Sequence, residues 1–181
     1  MSEQVYATKL SGVWYNELGS TMTLTADATG GLSGKYNSAV GKAEDFYILV
    51  GRFDAFPPSG GGVSVGWTVT YRNQKLNAHS TATWSGQYFD GGDEKILTHW
   101  LLTSSTPLKD IWKSTNVGHD TFTRKKPSAT TIAKVQALAV DSPQPEDILS
   151  QFFDFFHSVR PASHPFFSNT GFNSFSIVQN A

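Results

Sequence analysis

Between residues 11 and 124, apolar and polar side chains alternate in short runs, and each run ends at residues that cannot continue a strand. The runs are 11–17, 21–26, 31–37, 46–53, 63–71, 78–88, 94–103 and 118–124, rich in Thr, Val, Trp and Tyr as strands prefer. Asp27-Ala28-Thr29-Gly30-Gly31 supplies the positive-φ residues of a hairpin, and Pro57-Pro58-Ser59-Gly60-Gly61-Gly62 cannot extend a strand. In 94–103, Ile96, Thr98, Trp100 and Leu102 share one face, and Leu97, His99 and Leu101 share the other. Apolar groups on both faces predict an interior on one side and a partner chain on the other. The pattern predicts an all-β fold, an eight-stranded antiparallel up-and-down β-barrel with a C-terminal extension; a β-sandwich is the competing arrangement. An eight-stranded barrel is filled by side chains or holds one small ligand.

Composition divides the chain. All five Trp lie between Trp14 and Trp112, whereas most Phe lie from Phe152 onward, and Gly is nearly confined to the first part. This predicts an N-terminal arm (1–10), a barrel domain (11–128) and a Phe-rich C-terminal extension (129–181). Thr130 to Leu138 reads as a short helix or an extended linker, ended by Pro143 and Pro145. After Pro145, Ile148, Leu149, Phe152, Phe153 and Phe156 fall at helical spacing. So many Phe predict a segment that packs on the barrel or is mobile and sticky, or one that docks at the barrel mouth or between copies.

The formal net charge is −1, which provides no field for nucleic acid or an anionic membrane, so neither is expected as a partner. The absence of Cys excludes disulfides, thiolate metal sites and cysteine nucleophiles. No apolar run approaches the ~20 residues that span a bilayer. The opening MSEQVYATKL lacks the apolar core of a signal peptide, which predicts a mature secreted chain or a cytosolic one. Nucleophile-elbow, P-loop, zincin and dinucleotide motifs are missing, and the five His show no metal-like spacing. His119 and Asp120 are adjacent strand residues facing opposite ways, so they cannot act together on one substrate. Arg52-Phe53-Asp54 reads as surface charge. The expectation is a protein that is not an enzyme and has neither metal nor cofactor.

Six segments carry a resemblance: Gly12-Val13-Trp14-Tyr15-Asn16, Ser38-Ala39-Val40-Gly41, His79-Ser80 with Thr83-Trp84-Ser85-Gly86-Gln87, Trp100-Leu101-Leu102-Thr103, Trp112-Lys113-Ser114-Thr115, and Val117-Gly118-His119-Asp120-Thr121-Phe122. In this order they resemble the avidin family, and its streptavidin branch in particular, over about residues 11–128. The resemblance implies secreted barrels that each bind one biotin, associated as dimers or tetramers. It implies that Asn16, Ser20 and Tyr36 donate to the ureido oxygen of biotin, and that Ser38 and an ionised Asp120 accept from the ureido N–H groups. It places Trp84 and Trp100 against the apolar rings, with Leu18, Val40, Ala43 and Leu102 around them. Ser80 would bond the carboxylate beside the backbone of Gly41 and Lys42. Trp112 would cross a subunit interface and cap a neighbour's biotin, which implies a homo-oligomer, a tetramer rather than the disulfide-braced dimers of some relatives.

Two pocket positions depart from the family pattern. Tyr71 is read as standing where a third wall Trp is usual, and Ala82 where a Thr hydroxyl meets the biotin sulfur. The first function expected is non-catalytic sequestration of biotin. The alternatives are a barrel with shifted or weakened ligand specificity and an assembly protein that uses its Phe-rich tail.

Overall fold

Strand β7 (Lys95–Ser104) displays the alternation in full: Ile96, Thr98, Trp100, Leu102 and Ser104 are buried, and every residue between them is exposed. The computed structural model describes residues 4–41 and 43–137. The same alternation recurs in β1 (Gly12–Tyr15), β2 (Thr21–Ala26), β3 (Gly31–Asn37), β4 (Tyr47–Phe53), β5 (Val63–Arg72) and β6 (Asn77–Phe89), and in the second half of β8 (Thr115–Thr123). Each strand pairs antiparallel with the next, and β8 returns to β1, so the eight strands form a closed barrel. Closure removes the free edges that an open sheet would expose.

The boundaries differ from the sequence reading where local hydrogen bonds decide them. Strand β1 stops at Tyr15 because Asn16 Oδ1 accepts the N–H groups of Leu18 at 3.2 Å and Ser20 at 2.8 Å, and Gly19 turns the chain at φ 88°. Strand β8 begins at Thr115, three positions before the expected start, because Thr115 and Val117 continue the ladder opposite Thr103 and Leu101. The β2–β3 hairpin follows expectation, with Asp27 Oδ1 accepting from the N–H groups of Thr29 at 2.8 Å and Gly31 at 3.0 Å. Arg52 serves this hairpin, donating to Thr29 O at 2.8 Å.

The joint between β8 and β1 has a single registered pair, Tyr15 with Thr123. Side chains complete it. Glu17 Oε2 accepts the N–H of Thr121 at 2.9 Å, and Arg124 Nη1 donates to Val13 O at 3.2 Å.

One end of the barrel is closed by a helix where the sequence suggested only an arm. Helix α1 (Gln4–Leu10) buries Ala7 and Leu10 in the core. The Trp14 indole donates to Leu10 O at 2.9 Å, which satisfies a carbonyl left open at the helix end. The Arg124 guanidinium lies 3.6 Å from the centre of the Trp14 ring, donates to Lys9 O and meets Glu94 Oε2 at 3.2 Å. The hydroxyl of Tyr88 donates to Glu94 Oε1 at 2.6 Å.

The Tyr88 hydroxyl, followed by the Arg124 guanidinium, holds the Glu94 carboxyl below its ordinary range. A carboxylate whose folded pKa is depressed contributes stability above its unfolded pKa and loses it as pH falls through the folded one. Glu94→Gln is therefore expected to lower the melting temperature at pH 7 and to flatten its decline between about pH 5 and pH 3. Parallel acid melts of the two proteins check this; equal slopes would refute it.

The opposite end carries the β1–β2, β3–β4, β5–β6 and β7–β8 connections. The last of these contains a 3₁₀ turn, Leu108–Lys113. Helix α2 (Ala129–Ala137) resolves the helix-or-linker alternative over those residues. Ser128 Oγ caps it by accepting the N–H of Thr131 at 3.1 Å, and Ile132 reaches the β1–β2 turn at Gly19. The expectations for Pro143 onward lie outside the described residues. Among the described residues no helix is long and apolar enough to cross a membrane.

Candidate functional site

Antiparallel register sets three indoles side by side on the inner wall. Trp67 of β5 is opposite Trp84 of β6, which is opposite Trp100 of β7. Trp67 and Trp84 stack with ring centres 5.8 Å apart and planes 22° apart. The row has a glycine at each end: Gly51 of β4 pairs with Trp67, and Gly118 of β8 pairs with Trp100. A Cβ on Gly118 would lie 2.3 Å from the Trp100 ring, and one on Gly51 would lie 2.1 Å from Gly66 O. Gly118→Ala should therefore push Trp100 from its place and cost about 1–3 kcal/mol. Thermal unfolding of the variant checks this, and an unchanged melt would show that the ring relaxes freely.

Trp67, which the sequence reading had not singled out, lies in this row. Trp67 and Tyr71 both face inward because they are an even number of residues apart on β5. Tyr71 does not occupy the indole row. It packs edge-on against Tyr36 at 6.5 Å and Tyr47 at 5.0 Å. Burial pushes the Tyr71 phenol well above its ordinary pKa, so it is a neutral hydroxyl, and it has no hydrogen-bond partner among the described residues.

A polar group borders the indoles. The carboxylate of Asp120 is buried, with the residue 1% exposed; it accepts from the Trp84 indole at 2.7 Å and the Asn16 amide at 3.2 Å. Thr98, opposite Asp120 on β7, donates to its main-chain oxygen at 2.9 Å, a further support that the sequence did not single out. Ser20 Oγ accepts the N–H of Ala39 at 3.0 Å, tying the β1–β2 turn to the β3–β4 loop. The ring of Tyr36 lies 5.1 Å from that of Trp84. Ser38 is buried and donates to Val40 O at 3.0 Å.

The other expected residues fall into place or apart as follows. Leu18, Val40, Ala82 and Leu102 are buried, and Ala43 packs against the core from the β3–β4 loop. Gly41 takes a positive φ of 71° in that loop, and Lys42 lies outside the described residues. Ala82 sits between Val69 and Leu102 in the ladder, presenting a methyl group to the interior. Ser80 pairs with Ser104 across β6 and β7, and neither hydroxyl has a hydrogen-bond partner among the described residues. Ser104 has the signal that Ser80 has, a hydroxyl at an inward position. Trp112 is not brought to the cluster: it stands on the 3₁₀ turn with 74% of its surface exposed, flanked by exposed Leu108 and Ile111. His119 is exposed while Asp120 is buried, as strand alternation requires.

This arrangement brings an aromatic row together with hydrogen-bonding groups along its side and at the end with α2. Among the described residues, no group of three or more His, Cys, Asp or Glu is placed to hold a metal.

Comparison with known proteins agrees with this geometry. The profile of the Avidin family matches residues 4–125. The chain is 33% identical to avidin of Gallus gallus over 125 residues, covering 64% of this chain and 77% of that protein. It is 34% identical to afifavidin of Afifella pfennigii over 125 residues, covering 63% of this chain and 68% of the relative. It is 35% identical to fibropellin-1 of Strongylocentrotus purpuratus over 136 residues, 70% of this chain but only 12% of that much longer protein. With the closed eight-stranded barrel and the matched segment agreeing, the chain belongs to the avidin family.

Proposed function

We propose that the barrel binds biotin, one molecule per chain, and holds it without chemical change. The observation that carries this reading is the meeting of Asp120, Asn16, Ser20 and Tyr36 with the row Trp67, Trp84 and Trp100. A ureido group buried without partners costs several kcal/mol, and this set offers both donors and acceptors to it. The indoles suit the apolar rings and chain, since they present large rigid faces at small entropic cost. Ser80, with Ser104 beside it, is suited to the carboxylate end. Calorimetric titration of the full chain, and of a chain ended after Ser128, tests the reading. One biotin per chain in both is expected; no heat in either would overturn it.

Ala82 favours one refinement. Where a hydroxyl would meet the thioether sulfur, this chain has a methyl group. One weak hydrogen bond is worth about 0.5–1.5 kcal/mol, so specificity is kept with some loss of affinity. Ala82→Thr is expected to tighten biotin about three- to tenfold while leaving the sulfur-free analogue desthiobiotin unchanged. Equal effects on both ligands would refute the assignment.

We also read the protein as a homo-oligomer, a tetramer in which Trp112 covers a neighbour's ligand, and as a secreted chain. Exposed Trp112, Leu101 and Val117 support the assembly, as does the outer hydroxyl ladder of Thr68 with Thr83, Thr70 with Thr81 and Thr103 with Thr115. Trp112→Ala should speed biotin release while leaving the pocket of an isolated chain intact; light scattering gives the mass.

A further inference from the structure

The β7–β8 register brings together two imidazoles that the sequence separates. His99 is directly opposite His119, both are exposed on the outer face, and their ring centres are 6.5 Å apart. Directly paired side chains across an antiparallel ladder have Cβ atoms about 4.5–5.5 Å apart, close enough for both to reach one small ion. Metal–nitrogen bonds of about 2.0–2.1 Å put two ligating imidazole centres roughly 5–6 Å apart, so modest side-chain rotation at exposed positions closes the gap.

The surroundings suit a cation. Ser85 of β6 is the third member of the same cross-strand row, and the outward neighbours Thr83, Gln87, Leu97, Leu101, Val117 and Thr121 are all uncharged. No lysine or arginine stands in these positions to repel a metal. The two histidines also line a shallow groove with Gln87, Leu97 and Thr121.

We propose that His99 and His119 form a two-imidazole site for a borderline divalent transition-metal ion such as Zn²⁺, Cu²⁺ or Ni²⁺. Neutral imidazole is a preferred ligand for these ions, whereas Mg²⁺ and Ca²⁺ favour oxygen. Two nitrogens leave the remaining positions to water or to the same pair on a second copy. The site lies outside the wall whose inner face carries Trp84, Trp100 and Asp120, so it does not depend on the biotin reading.

Zn²⁺ titration of the full chain by calorimetry tests the site. The expected result is one ion per chain, or one per two chains, saturating with both imidazoles. His99→Gln and His119→Gln should each weaken binding at least tenfold, because the chelate is lost with either arm, and the double variant should bind no more tightly than either. His79→Gln should leave it unchanged. Unaltered Zn²⁺ affinity in the double variant would overturn the proposal by assigning the ion elsewhere. A second measurement needs no variant: Zn²⁺ should protect His99 and His119 together from carbethoxylation, read by peptide mass spectrometry. Undiminished modification of both at saturating Zn²⁺ would equally overturn it.

Discussion

Asp120→Asn is expected to weaken biotin by about a hundred- to a thousandfold, almost entirely through faster release. The carboxylate is buried and already receives N–H donors from Trp84 and Asn16. It has lone pairs for a further N–H, which on the biotin reading comes from the ureido ring. An asparagine amide keeps the shape but turns one acceptor into a donor. That donor then faces the Trp84 indole, the Asn16 amide or the ligand, and one of them is left unsatisfied. A hydrogen bond to a charged acceptor contributes about 1.5–3 kcal/mol, and an unsatisfied buried donor adds about 1–3 kcal/mol. Release of a fluorescent biotin conjugate measures the effect. Release within a factor of three of the parent would remove Asp120 from the ligand's partners. Melting the unliganded variant shows whether the fold contributes to the change.

Trp84→Ala is expected to have the largest effect on stability, about 3–5 kcal/mol, or roughly 10–20 °C in melting temperature. Trp84 stacks on Trp67, meets the Tyr36 ring and donates to Asp120, so its removal opens a cavity and leaves a buried carboxylate with one donor fewer. Trp84→Phe separates the two contributions. It restores much of the volume but not the N–H, so its melt should fall between those of the parent and the Ala variant. Biotin binding by Trp84→Phe should suffer more than its stability does. If both variants melted within about 2 °C of the parent, the row would be ligand wall and not core.

Much of the barrel was legible because an antiparallel wall with one face inside writes its geometry in the sequence at period two. The 94–103 run separated its two faces correctly, and the structure buries Ile96, Thr98, Trp100 and Leu102 as that alternation requires. Helix α1 was not legible. It has seven residues, no acidic residue in its first turn, and only Ala7 and Leu10 to mark a buried face. Such a segment becomes a helix through packing on the barrel end rather than through its own propensity.

Of the residues that the family resemblance singled out, Asn16, Ser20, Tyr36, Ser38, Trp84, Trp100 and Asp120 are buried, whereas Trp112 is exposed. The row of three indoles was not legible in the sequence. Trp67 and Tyr71 are both inward aromatics of β5, and only the register opposite Trp84 distinguishes them. Register is a long-range quantity that alternation alone leaves open. The His99–His119 pair was hidden for the same reason, since its spacing along the chain says nothing of its spacing across the ladder.

The sparse β8–β1 joint has a consequence for the order in which the protein is made. Asn16, just after the first strand, and Asp120 of the last meet across it although they are 104 positions apart, so each end of the wall brings one member of the polar group. A chain emerging from the ribosome has no complete pocket until the eighth strand is out and has docked on the first. Contacts of this sequence separation form slowly. Ligand capture would then report ring closure itself, and a ligand held by both residues would act as the last stitch, keeping the ends of the wall from parting.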